Sequence, residues 1–152
     1  MIQRIQSLWL FLAAVALMAV LFLPVGKFMM PHGLYEFTAF KMTMAGQVPV
    51  LNIPVKLISI LSGLSALFSI LAILHFKKRD RQIRWAWVAF ATNALLAVGL
   101  VSLFLYFKYV MDSWVGYGAA VLMPLLGLIL DYLGIKGIKK DEALVKSLDR
   151  IR

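Results

Sequence analysis

The chain has 152 residues, 62% of them hydrophobic, with 16 Lys and Arg against seven Asp and Glu for a formal net charge of +9. A soluble domain holds roughly 45–50% apolar residues, so lipid must be part of this chain's solvent. The basic surplus sits in short segments between apolar runs and forms no face for nucleic acid, and the lack of cysteine excludes thiol chemistry and thiolate metal centres.

Arg4 precedes the first uncharged run, Leu8–Leu23, which predicts a span over about 5–23. The boundary Leu23-Pro24-Val25-Gly26-Lys27 lacks the small-residue pattern of a signal-peptide cleavage site, so the span is expected to be retained. The following loop, 24–54, is the only sizeable piece outside the membrane. Within it Glu36 and Thr38 alternate with Tyr35, Phe37 and Ala39, and Ala45-Gly46 offers a turn before Gln47–Leu51. That period of two predicts a short β-hairpin resting on the helix ends. His32 lies in the same loop, far from His75, so the two histidines are not expected to act together.

Span 2 is expected over 55–76 around the uncharged run Leu57–Phe76. It carries Ser59, Ser62, Gly63, Ala66 and Ser69 at three- and four-residue spacing. A stripe of small residues is what helix packing in lipid requires; a groove lined by hydroxyls is the sharper alternative. The basic loop from Lys77 to Arg84 is tight and makes spans 2 and 3 an antiparallel pair. Span 3, over 84–107, carries Asn93 near its middle, and an amide there must face other helices; serines of span 2 are its expected partners.

Span 4 is expected over 114–133, with Gly116, Ala120 and Gly127 on a second small-residue stripe and Asp131 at its cytoplasmic rim. An intramembrane carboxylate is a functional candidate by default. At the rim, an ion pair with Arg84, Arg4 or Lys136 is the favoured reading. The tail, 136–152, has Leu144, Leu148 and Ile151 on one helical face. Lys139, Lys140, Lys146, Arg150 and Arg152 are placed to meet lipid headgroups.

Twelve of the 16 Lys and Arg fall at the amino end, in the loop between spans 2 and 3 and in the tail. The positive-inside rule then places both termini in the cytoplasm, as an even number of spans also requires. The predicted fold is an all-α membrane protein of one domain: a four-helix up-down-up-down transmembrane bundle, a short β-hairpin in the first outer loop and a C-terminal amphipathic helix.

No nucleotide loop, nucleophile elbow or metal-ligand spacing occurs, so no cofactor, metal or enzymatic activity is expected. Met1-Ile2-Gln3-Arg4-Ile5-Gln6, with Lys140–Ser147 and Asp149-Arg150-Ile151-Arg152, resembles a family of four-span Bacteroidota proteins known as domain of unknown function 4293. The resemblance implies an inner-membrane protein and no assigned activity. The resulting expectation is a non-enzymatic accessory or scaffold subunit with membrane lipids and a second membrane protein, or further copies of itself, as partners. A small oligomeric transporter or channel using Asp131 and Asn93 is the alternative.

Overall fold

The structure is a computed structural model, and it describes residues 2–30, 33–44 and 53–149. Four helices dominate it: α1 (Ile2–Phe22), α2 (Ile53–Leu74), α3 (Arg79–Leu105) and α4 (Leu122–Asp149). All four contain stretches long and apolar enough to cross a membrane. Four strands, β1 (Pro24–Met30), β2 (Gly33–Thr38), β3 (Met42–Met44) and β4 (Trp114–Tyr117), form one antiparallel sheet in the order β3-β2-β1-β4.

Helix α1 has no glycine or proline until Pro24, which has no N–H to extend the helix and opens β1 instead. Pro54 lies in the first turn of α2, where a missing N–H has no helical partner to lose. The helices run alternately up and down, with α1 packed on α2 and α4, and α3 on α2 and α4. Each presents one buried stripe and a broad apolar face to the surroundings; Phe11, Leu67, Val98 and Leu125 are among the exposed residues. That inversion of the soluble pattern is what lipid as solvent permits.

The hairpin differs from its sequence expectation in place and size. Strand β1 pairs with β2 from Met30↔Gly33 to Pro24↔Thr38, so the first strand begins directly after α1. Ala45-Gly46 and Gln47–Leu51, expected to carry the turn and second strand, lie outside the described residues, as does His32. The fourth strand comes from a region predicted to be helix. Alternation is plain in Tyr35, Phe37 and Ala39, buried while Glu36 and Phe40 are exposed. It is hidden in Trp114–Tyr117, whose residues suit a span equally well.

Two features pull that segment out of the helix. Helix α3 ends in a π-turn, Tyr106–Val110, and Asp112 takes a positive φ of 45°, reversing the chain. Trp114–Tyr117 then lies antiparallel to Met29–Gly26. A Cβ on Gly118 would stand 2.1 Å from the Pro24 carbonyl oxygen, so only glycine lets the chain cross β1 here. A 3₁₀ turn, Ala119–Val121, leads into α4.

Phe28 docks the sheet on the bundle. It is fully buried, with ring centroids 4.3 Å from Phe107 and 5.3 Å from Phe104. On the opposite face of the sheet Lys27 and Glu36 form a cross-strand ion pair of 2.7 Å. That pairing holds the exposed Glu36 carboxyl below its ordinary range, through its hydrogen bond and then its charge attraction to Lys27.

Span 4 therefore begins at Leu122 rather than 114, and it also ends later. The tail expected as a separate amphipathic helix is the unbroken continuation of α4 to Asp149. Ile135 and Ile138 pack in a cluster with Leu10, Ala72 and Ala86, and Arg79 pairs with Asp141 at 3.2 Å. Those contacts carry the helix straight through the boundary at which it was expected to turn aside.

Candidate functional site

The inward slide of α4 changes the position of Asp131. It lies nine residues beyond Leu122 and ten before Asp141, which is about 13 Å and 15 Å along the axis, so it sits inside the bundle and not at its rim. Asp131 and Asn93 both have no exposed surface. The Ser69 hydroxyl faces Asp131 Oδ1 at 3.2 Å, and Asn93 Nδ2 faces Asp131 Oδ2 at 3.4 Å.

The expected ion pair of Asp131 is not formed with Arg84 or Lys136. Arg84 turns away and donates its Nε to the Asp80 carbonyl at 3.2 Å, and the Arg4 side chain lies outside the described ones. Among the described residues no cation pairs with Asp131. The expected partner of Asn93 is also corrected: it is the carboxylate of α4 rather than a serine of α2.

The surroundings are built from oxygen. Helix α2 places Ser62, Ser65 and Ser69 on its buried face by 3.6-residue periodicity. Ser62 donates to the Leu17 carbonyl at 2.5 Å, and Ser65 to the Ala89 carbonyl at 3.0 Å. Ser69 also lies 3.1 Å from the Ser65 carbonyl. Asn93 Oδ1 is buried without a hydrogen-bond partner among the described residues. The Asp131 carboxylate, the Asn93 amide and the Ser69 hydroxyl thus meet where α2, α3 and α4 pack, while Ser62 and Ser65 are spent on backbone carbonyls of α1 and α3. Negative charge buried among neutral donors alone is costly, and oxygen-rich sets of this kind accept a proton or a small hard cation.

Gly127 makes the convergence possible. A Cβ there would lie 2.6 Å from Asn93 Nδ2 and 3.4 Å from Leu17 Cγ, so α4 approaches α3 and α1 as closely as it does only with glycine.

The other small residues separate into different roles. Ala66 is buried within the bundle, whereas a Cβ on Gly63 would have nothing within 4 Å, so Gly63 is not at a contact. Ser59 donates to the Ala39 carbonyl and ties α2 to the sheet. Gly116 is not on a helix but in β4, where the Trp114 ring covers it, and Ala120 is buried in the 3₁₀ turn beneath the sheet. In the tail, Lys139 sits 5.1 Å from the centroid of the Trp87 ring and Lys140 is exposed. The Lys146 side chain, Arg150 and Arg152 lie outside the described ones.

Sequence reasoning missed Ser65, although it continues the spacing of Ser62 and Ser69 and was legible in principle. It also missed Gln6, whose Nε2 donates to the Gly137 carbonyl at 3.0 Å and joins α1 to α4.

A family profile matches residues 2–151 of the chain, which takes in all of the terminal segments except Met1 and Arg152. The chain belongs to the family described as domain of unknown function DUF4293. No curated protein and no solved structure matches it. The family name carries no chemistry, so the functional reading rests on the buried cluster and on the charge distribution.

Proposed function

We propose that this chain is a multi-pass inner-membrane protein whose working group is Asp131, which takes up a proton or a small monovalent cation within the bundle and serves in its translocation. The observation that carries this reading is a fully buried carboxylate that among the described residues hydrogen-bonds only Ser69 and Asn93, with the Asn93 amide oxygen unpartnered among them. A rim position had argued against a working role for Asp131, and that argument falls with the correction. The cluster lies within the packed bundle, so the geometry corresponds to a closed state, and passage requires the helices to part.

The test is flux in proteoliposomes. The wild type is expected to carry protons or monovalent cations above the rate of protein-free vesicles, and Asp131→Asn to fall to that background. Wild-type flux no greater than background overturns the proposal.

The basic end of the bundle, with both termini, belongs on the cytoplasmic side in this reading, supported by the bias of Lys and Arg. The absence of native cysteine makes this simple to test. A cysteine replacing Lys77 should react with impermeant maleimide only from the inside, and one replacing Lys27 only from the outside. The reverse pattern contradicts the assignment.

A second reading, an accessory subunit that docks a partner on its sheet, draws on a different region. Met29, Tyr109, Trp114 and Tyr117 leave an exposed apolar and aromatic group at that end. Recovery of the same partner with wild type but not with Trp114→Ser supports it; purification as this chain alone from mild detergent opposes it.

A further inference from the structure

A second polar site, independent of Asp131, lies at the end of the bundle away from the sheet. A cavity of about 460 Å³ is lined by His75, from the turn after α2, and by Arg81, Arg84, Trp85 and Val88 of α3. The α3 residues follow at intervals of three, one and three, so they occupy a single helical face. Their order along that face is chemical: two guanidinium groups come first, then an indole, then an aliphatic side chain. From Arg81 to Val88 the helix advances about 10 Å from its charged end into its apolar run.

The individual groups are set up to receive an anion. Arg84 uses its Nε on the Asp80 carbonyl, which leaves its terminal nitrogens available. Neither arginine forms an ion pair with a carboxylate among the described residues. His75 Nδ1 lies 2.8 Å from the Leu71 carbonyl; since that oxygen only accepts, Nδ1 carries the proton and the ring is fixed as a wall of the cavity. Trp85 is held by rings on two sides, Phe68 at 5.6 Å and His75 at 6.3 Å between centroids, so the floor of the cavity is fixed.

We propose that this cavity is a binding site for one anionic glycerophospholipid, its phosphate held by Arg81 and Arg84 and the start of its acyl chains laid along Trp85 and Val88. A free phosphate would use only the upper half of the site. The apolar lower half, open towards the hydrocarbon level, argues for a lipid, and basic pockets between spans have the chemistry to bind such headgroups. The site lies apart from the tail residues Lys139 and Lys140, and it does not depend on Asp131 having a transport role.

Native mass spectrometry of the full-length protein in mild detergent, supplied with phosphatidylglycerol and phosphatidylcholine in equal amounts, tests the site. The wild type is expected to retain one phosphatidylglycerol in preference to phosphatidylcholine. Arg81→Gln with Arg84→Gln should weaken that retention by roughly thirtyfold, the effect of two basic groups at an anionic surface. Lys77→Gln with Lys78→Gln removes the same charge from the same loop but not from the cavity, and should leave the preference in place. Equal losses from the two double variants would reduce the effect to diffuse charge and overturn the site. So would a wild type with no preference, or displacement of the lipid by millimolar inorganic phosphate.

Discussion

Helix α4 is held by different physics on its two sides. Towards α1 it offers Gly134 and Gly137, where added Cβ atoms would crowd Leu10 and Gln6, and at the seam with α3 it offers Gly127, where one would crowd Asn93 and touch Leu17. Towards α2 and α3 it offers Asp131, held through Ser69 and Asn93. The glycine side gains its stability from shape, since lipid provides no hydrophobic drive to bring helices together. The polar side is poorly suited to stability alone. Among the described residues it keeps a carboxylate without a cation and an amide oxygen without a donor, and well-packed apolar residues are often as stable as buried polar groups or more so. The first side is built to hold, and the second suits the working role proposed for Asp131.

The largest effect should come from breaking the glycine side. Gly127→Leu drives a branched side chain into Asn93 and Leu17 and should cost about 3 kcal/mol, the upper range for overpacking, read as a steep fall in thermal midpoint in detergent. Gly63→Leu is its control; with open space around it, the change should stay within about 0.5 kcal/mol. If the two glycine variants behave alike, close approach is not what holds α4.

The polar side should respond less. Asn93→Ala removes the hydrogen bond between α3 and Asp131 and should cost about 1 kcal/mol, in the range of interhelical hydrogen bonds in membranes, with some cavity cost added. Chemical unfolding in mixed micelles measures it. A loss as large as that of Gly127→Leu would make the polar cluster the main structural element and remove the contrast.

The smallest effect belongs to a surface pair outside both regions. Glu36→Gln breaks the exposed Lys27 ion pair and should leave the thermal midpoint at neutral pH nearly unchanged. Because the folded carboxyl lies below its ordinary value, its small contribution is present above that value and fades as the pH falls through the folded one. An acid-side titration of the midpoint, wild type against Glu36→Gln, should therefore converge at low pH.

Four helices and their order were legible because uncharged runs of 16 to 23 residues have no alternative in so short a chain. What stayed hidden was where the fourth one starts. Trp114–Tyr117 reads equally as span or strand, and its assignment depends on Gly118 crossing Pro24 and on the free edge of β1, which are tertiary facts. That shift moved Asp131 from rim to interior and reversed the reading of its chemistry. Asn93 was recognised as facing the bundle from its polarity alone, while its partner could not be chosen without the relative rotation of α3 and α4. Gly63 and Gly127 are the same residue type on similar stripes, and only the neighbouring helix tells them apart.

The most direct measurement is of stability and flux together in Asp131→Asn. The substitution preserves shape and removes the carboxylate, so the expected result is a thermal midpoint equal to or above that of the wild type, with proton or cation flux in proteoliposomes reduced to background. Flux that persists in the variant, or a midpoint that collapses along with the flux, would contradict a working role for Asp131 and leave the cluster as packing.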